Sequence, residues 1–246
     1  AAYEQLKPKY PDVKILGTAV MGDRKNWYES LLALGGGDYM DGVYYHSYYT
    51  FDEVYPETAI PSEFQDFTEA NRNAAVDKPI YLTESGASSF SGGVSEREQA
   101  SRLVRSYVLW MKNGAVRNYW YDFMDDGTRA TELEHNFGMI RSAYHPLAYT
   151  PKPAYAAYAV LARQLKGMKY DSFRQYGEDI YCVTFCNGEE RVNVVWSLRG
   201  QDAVVAASEE ICVTDMMGNQ KSCGNVQNVR LCSEPIYITG EIQSLQ

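Results

Sequence analysis

Apolar, β-rich runs recur four times in the first two thirds of the chain, beginning near Val13, Gly42, Pro79 and Arg117, and amphipathic stretches fill the gaps. The runs are short and nearly continuous in apolar character, which suits parallel strands buried on both faces; they predict strands over 13–19, 43–47, 80–83 and 116–123. Helical spacing of Trp27, Leu31 and Leu34 predicts a helix over 26–34. Ser62-Glu63-Phe64-Gln65 reads as a capping box opening a helix that runs towards Asn73, and Ser95-Glu96-Arg97-Glu98 as a second one. The helix after Ser95 carries Leu103, Val104, Tyr107, Val108 and Met111 on one face, and Asn113-Gly114 ends it. A first helix over 1–9 and a last one over 152–166, entered through Pro151-Lys152-Pro153, complete four βα units. The expected fold class is α/β, a (βα)₄ array of parallel strands over 1–166.

From Gly167 the pattern changes. Short alternating runs over 180–185, 191–197, 203–207, 211–214, 229–232 and 236–239 replace the helical period. Asn187-Gly188 is a strong hairpin signal because both turn positions need positive φ, and Gly218-Asn219 marks another turn. A small antiparallel β-sandwich is expected over 167–246, with Trp196 in its core.

The 246 residues carry a formal charge of −9, with 45% apolar and 22% charged residues. This composition fits a folded, water-soluble chain, and no apolar run approaches the roughly 18 to 20 residues of a membrane-spanning helix. An acidic balance argues against nucleic acid, whose binding depends on Lys and Arg clusters that neutralise phosphates. The 21 Tyr and 4 Trp suit surfaces that meet amphipathic ligands such as sugars, although a Tyr-rich core would give the same count. The five Cys all lie in the last third without paired C-x-x-C spacing; buried thiols are the default, with one or two disulfides left open. The three His show no metal-ligand spacing, and Gly35-Gly36-Gly37 has neither P-loop nor dinucleotide spacing, so no metal and no cofactor are expected. Ser85, Ser88 and Ser89 lack the G-x-S-x-G elbow of acyl hydrolases.

In parallel α/β folds, ligands gather at the carboxyl ends of the strands. Here those ends read Tyr44-Tyr45-His46-Ser47-Tyr48-Tyr49, Leu82-Thr83-Glu84-Ser85-Gly86 and Tyr119-Trp120-Tyr121-Asp122-Phe123. Glu84 follows Ile80-Tyr81-Leu82, so its charge sits at the mouth of a buried strand, where a carboxylate must be paired, hydrogen-bonded or solvated in a cleft. The structural alternative is an ion pair with a nearby base such as Arg117. His46 alone is equally consistent with a structural residue. Trp120 is a candidate floor for a sugar ring or a core residue. Asp122, Asp125 and Asp126 read first as a solvated acidic turn.

At these residues the sequence resembles the carboxyl half of the clan A glycoside hydrolases, retaining (β/α)₈-barrel enzymes, especially cellulase-like and family thirty-nine-like members followed by a β-sandwich. The resemblance runs through Asp41-Gly42-Val43-Tyr44-Tyr45-His46-Ser47-Tyr48, Pro79-Ile80-Tyr81-Leu82-Thr83-Glu84-Ser85-Gly86, Tyr119-Trp120-Tyr121-Asp122 and His135-Asn136-Phe137-Gly138, and leads to Pro151-Lys152-Pro153-Ala154-Tyr155. It implies that Glu84 is the catalytic nucleophile, that His46 and Tyr48 line and orient the sugar site, that Trp120 stacks beneath the reacting ring, and that Asp122 joins the substrate-binding set. It also implies a partial (half) TIM barrel over 1–166, a carbohydrate substrate and export from the cell.

The acid/base of such enzymes is a Glu after the fourth barrel strand, usually preceded by Asn, and no Asn-Glu dipeptide occurs at any strand end here. The chain opens at Ala1 in what reads as the fourth helix, so a fragment of a longer enzyme, inactive alone, is the expectation. A half-barrel also leaves two edge strands and an inner face open, a liability unless a missing amino-terminal half or another chain covers them. The competing class is a carbohydrate-binding or interaction module that keeps the aromatic surfaces without catalysis.

Overall fold

The computed structural model of the protein describes residues 2–17, 24–51, 54–188 and 190–246. A short helix α1 (Ala2–Leu6) precedes four parallel strands, β1 (Leu16–Gly17), β2 (Gly42–Tyr48), β3 (Ile80–Gly86) and β4 (Arg117–Trp120), which lie side by side in chain order. A helix follows each strand: α2 (Arg24–Ala33), α3 (Pro56–Asn73), α4 (Glu96–Asn113) and α5 (Pro153–Gln164). Spatial order equal to chain order, with one helix per crossover, is the (βα)₄ array expected from the pattern and fits the half TIM barrel that the resemblance implies. Residues 18 and 19 of the predicted first strand lie outside the described residues.

The alternation of β2 sets the two faces of the sheet. Val43, Tyr45, Ser47 and Tyr49 are buried against the helices, while Tyr44, His46 and Tyr48 are only half-buried on the opposite, barrel-inner face. Tyr45 shows what the buried face does: its ring stacks on Phe67 of α3 at 4.6 Å and meets Trp110 of α4 edge-on at 5.3 Å. Ser95 caps α4 by accepting the Glu98 amide at 3.0 Å, and Gly114 ends that helix at φ 85, a left-handed conformation that favours glycine.

α3 departs from expectation. It begins at Pro56 rather than Ser62 and carries Pro61 inside. Ser62 therefore caps nothing, Gln65, expected to close the capping box, donates to Glu69 at 2.6 Å, and Glu63 turns inward. Its carboxylate accepts from Ser47 Oγ at 2.6 Å and lies 3.4 Å from Arg24 Nη2. Extending the helix by six residues buries Pro56 and Ile60, and this apolar burial offsets the missing hydrogen bond at Pro61.

The carboxyl-terminal strands form the expected antiparallel sandwich. A six-stranded sheet has the order β10-β9-β12-β7-β6-β5, with β5 (Lys169–Tyr176), β6 (Ile180–Asn187), β7 (Glu190–Ser197), β9 (Ile211–Thr214), β10 (Gln220–Gly224) and β12 (Ile236–Thr239). A three-stranded sheet has the order β11-β8-β13, with β8 (Gln201–Ala207), β11 (Asn228–Leu231) and β13 (Ile242–Leu245). The larger sheet is an inner layer whose central strands β6 and β7 are buried on both faces. Val192, Val194 and Trp196 of β7 point to the helices, and Val195 points to the smaller sheet. Cys212 and Cys223 form a disulfide across β9 and β10, Cys182 is a buried thiol, and Cys232 is exposed.

The seam between helices and sheet is polar at its centre. Trp196 Nε1 donates to Glu57 Oε1 at 2.8 Å; Arg105 Nη1 reaches the same oxygen at 3.2 Å and Arg105 Nη2 reaches Glu98 Oε1 at 2.6 Å. Glu57 and Arg105 side chains are wholly buried. At the rim, Ser101 Oγ donates to the Ser233 carbonyl, and the ammonium of Lys112 sits 4.6 Å over the Phe173 ring.

Candidate active site

Strict alternation would bury Glu84. Ile80 and Leu82 face the helices, and a residue two further along a regular strand faces the same way. The register shows how this is avoided: Tyr45 pairs with Leu82 but His46 pairs with Glu84, so one residue of β2 is matched by two of β3. This β-bulge turns Glu84 to the barrel-inner face beside His46 and returns Ser85, fully buried, to the helix side.

Glu84 Oε2 collects two donors. It accepts from the Tyr48 hydroxyl and lies 3.2 Å from His46 Nδ1. The second ring nitrogen, His46 Nε2, is 3.1 Å from Thr83 Oγ1, so a neutral imidazole can donate from Nδ1 to Glu84 while its other nitrogen accepts from Thr83. Burial, and then the adjacent Glu84 carboxylate, push the Tyr48 phenol well above the usual tyrosine range, which keeps it protonated as a donor. Oε1 of Glu84 takes no hydrogen bond from the described residues, and the side chain stays 37% exposed. No ion pair joins Arg117 to Glu84 among the described residues; Arg117 is exposed.

Glu84, His46 and Tyr48 line a cleft of about 470 Å³ together with Thr50 and Phe51 beyond β2. Tyr121 enters from the end of β4, and Leu133, Glu134 and Phe137 from the loop before α5. Tyr48, Tyr121 and Phe137 meet edge to face, with centroids 5.4 Å apart for each tyrosine against Phe137 and 6.1 Å between the tyrosines. The result is a rigid aromatic wall with hydroxyls and carboxylates at its rim, the mixture that suits an amphipathic ligand.

Two residues chosen from sequence stand elsewhere. Trp120 does not line the cleft: it pairs in register with Ser85 and packs against the helix-side core. The pleat of β4 places Tyr119 and Tyr121 on the other face, so Tyr121 is the ring that strand presents to the cleft. Asp122 also lies outside the lining. Its Oδ1 is buried without a partner, and its carboxyl is pushed up to about 7, by burial first and then by Asp126 and Asp125. Asp125 is not part of a solvated turn: it is buried, accepts the Gly138 amide at 2.8 Å and binds Lys152 Nζ at 2.9 Å. Sequence reasoning missed Tyr121, Glu134 and Phe137. The signal for Tyr121 was the period of two along β4, and Phe137 stood inside the quoted His135-Asn136-Phe137-Gly138 element. Among the described residues, no group of three or more His, Cys, Asp and Glu is arranged to hold a metal ion.

Strand order, the strand-end cleft and the docked sandwich give a partial barrel with a β-domain, a fold similar to part of several solved glycoside hydrolases. Among solved structures, a family 39 glycoside hydrolase from Bacteroides cellulosilyticus WH2 superposes with a TM-score of 0.79 at 23% identity, covering 97% of this chain and 53% of that one. A glucosidase from Croceicoccus marinus gives 0.67 at 9% identity, over 97% of this chain and 62% of its own. A GH30 endoxylanase from Clostridium papyrosolvens C71 gives 0.55 at 12% identity, over 94% and 56%. The chain thus spans between half and two thirds of the length of these three structures. No family model matches the sequence, and no curated protein matches it.

Proposed function

We propose that the chain is the nucleophile-bearing half of a retaining β-glycoside hydrolase, with a barrel portion over 1–166 and a β-domain over 167–246. The observation that carries this is the Glu84 carboxylate: one oxygen held by Tyr48 and His46, the other without a protein donor, at a strand-end cleft with aromatic walls. In the proposed reaction the free oxygen attacks the anomeric carbon of a bound sugar and the glycosidic C–O bond breaks. The departing oxygen takes a proton from a second carboxyl, and water then cleaves the glycosyl ester and restores Glu84.

Retention requires that second carboxyl about 5 to 5.5 Å from the nucleophile. We assign it to barrel strands outside these 246 residues, so this chain alone turns over no glycoside. Covering β1 and β4, the open edges of the four-stranded sheet, falls to the same missing strands. His46 and Tyr48 orient the nucleophile and the sugar, Tyr121 takes the stacking role that sequence gave to Trp120, and Trp120 and Asp122 support the end of β4 from behind.

The test is to incubate the full-length protein with 2-deoxy-2-fluoro-β-glycosides, which trap glycosyl-enzyme esters, and to map the labelled peptide. A label on Glu84 is expected. A protein that binds sugar but leaves Glu84 unlabelled is a binding module on the same scaffold.

A further inference from the structure

The imidazole of His46 is held at both nitrogens by consecutive residues of one strand. Against β2, the register of β3 passes from Leu82 to Glu84 while β2 advances by a single residue. Against β4 the same stretch slips again: Leu82 pairs with Asn118 and Ser85 with Trp120, three steps on β3 for two on β4. β3 thus carries one extra residue relative to both neighbours. In a regular strand consecutive side chains point to opposite faces, and the bulge is what lets Thr83 and Glu84 reach the same ring. Glu84 Oε2 lies 3.2 Å from Nδ1, and Thr83 Oγ1 lies 3.1 Å from Nε2. The Tyr44 ring packs beside the imidazole, with centroids 6.0 Å apart.

We propose that Thr83 is a positioning residue for the nucleophile: its hydroxyl donates to His46 Nε2 and so holds the single proton of the neutral imidazole on Nδ1, aimed at Glu84. The proposal rests on the reading of Glu84 as the nucleophile. Which ring nitrogen of a histidine carries the proton is set by the hydrogen bond that the other makes. An ionised carboxylate only accepts, so His46 serves Glu84 with its proton on Nδ1; a proton on Nε2 leaves two lone pairs facing each other across that 3.2 Å contact. Threonine suits the task because its β-branch restricts χ1 while its hydroxyl can donate. The consequence reaches the chemistry. With the proton on Nδ1, Glu84 Oε2 keeps both Tyr48 and His46 as donors, charge-assisted hydrogen bonds that stabilise the ionised form and leave Oε1 as the attacking oxygen. With the proton on Nε2, Tyr48 alone holds the carboxylate.

The test uses the full-length protein isotopically labelled at its histidine nitrogens. A long-range proton–nitrogen NMR spectrum at neutral pH separates the two neutral tautomers from the imidazolium, and a His46→Gln sample assigns the signal. The expected wild-type pattern is a neutral His46 with its proton on Nδ1. It should move towards Nε2 in Thr83→Val, which keeps the side-chain shape and removes the hydroxyl, and return in Thr83→Ser. The rate at which a fluoro-sugar labels Glu84 should fall about tenfold in Thr83→Val, equal to about 1.4 kcal/mol, and Thr83→Ser should recover most of that loss. A wild-type His46 protonated on Nε2 or on both nitrogens overturns the proposal, and this reading needs no variant to fold. So does a Thr83→Val spectrum like that of wild type, or a labelling rate that Thr83→Ser does not recover. An unlabelled Glu84 in the wild-type protein overturns the nucleophile reading itself, and it is told apart from a failure of Thr83 because the spectrum is recorded without substrate.

Discussion

Acidic side chains lie on both sides of the α-helical layer, and the two sets are treated in opposite ways. On the sandwich side, Glu57 is wholly buried and shares its Oε1 between Arg105 and Trp196, while Glu98 takes the other arm of the same arginine. On the cleft side, Glu84 and Glu134 meet hydroxyls and an imidazole but no Lys or Arg among the described residues. A buried charge without a counter-charge is costly, so the seam acids must be paired wherever they occur. The cleft acids remain in partial contact with water and keep lone pairs open. Pairing therefore marks the charged acids that hold the seam, and partial exposure leaves Glu84 an oxygen open to a ligand.

The sharpest way to break this comparison is to remove one charge from each side. Glu84→Gln keeps the shape of the cleft and a hydrogen-bonding side chain but removes the nucleophile. In the full-length protein it should lower kcat/KM by at least about 10³-fold, roughly 4 kcal/mol of transition-state stabilisation, with little change in the thermal midpoint. Steady-state kinetics and a melting curve on the same sample check both halves. Arg105→Met is the converse. It strands Glu57 and frees one arm of Glu98 at a wholly buried seam, and should cost about 4 kcal/mol by denaturant titration. An Arg105→Met protein as stable as wild type would show that the seam ion pair is dispensable.

How much of this was legible in the sequence follows from the same contrast. Elements that depend on local pattern were readable: the Ser95 cap and Gly114 stop of α4, the strand ends at His46 and Glu84, and the Gly188 turn between β6 and β7. Elements decided by distant partners were not. Ser62 looks like a cap because Gln65 stands three residues on, yet the helix runs back to Pro56, and Glu63 beside Ser62 is held by Ser47 across the layer. Strands β5, β10 and β13 lie at sheet edges, where one side faces water and apolar alternation is weak, and all three went unpredicted. At the site, Glu84 was found from its place at the end of β3, but the bulge that turns it inward is a property of pairing with β2. Tyr121 and Trp120 exchanged roles because adjacent aromatics on a strand differ only in phase.

Asp125 sharpens the comparison from the middle ground. It lies one loop away from the cleft but is treated like a seam acid, with Lys152 buried against it at 2.9 Å. Burial pulls the Lys152 ammonium below the usual lysine range, while the Asp125 carboxylate beside it works in the opposite direction. Lys152→Met removes the counter-charge and leaves Asp125 with the Gly138 amide alone. The expected cost is about 3 kcal/mol near pH 7, shrinking in acid as Asp125 takes up a proton, because burial raises its affinity for one. Chemical denaturation at pH 5 and pH 7.5 measures the difference.

The smallest effect, and the one with a distinctive sign, belongs to Asp122. Its carboxyl is held at about 7 against an unfolded value of 3.8, because burial and the neighbouring Asp126 and Asp125 disfavour its charge and no hydrogen bond reaches Oδ1. Between these two values the unfolded chain has lost the proton that the folded chain still holds. Stability from this group is therefore complete below about pH 4, declines as pH rises, and is fully lost above about pH 7. Asp122→Asn removes the titration. It should leave stability unchanged at pH 4 and raise it at pH 8 by about 1 to 2 kcal/mol, a figure discounted because the group is partly open to solvent. Paired denaturant titrations of the two proteins across that range check the slope. A constant difference at every pH would mean that Asp122 keeps its charge in the fold, and that an unpaired acid can sit behind β4 at no cost.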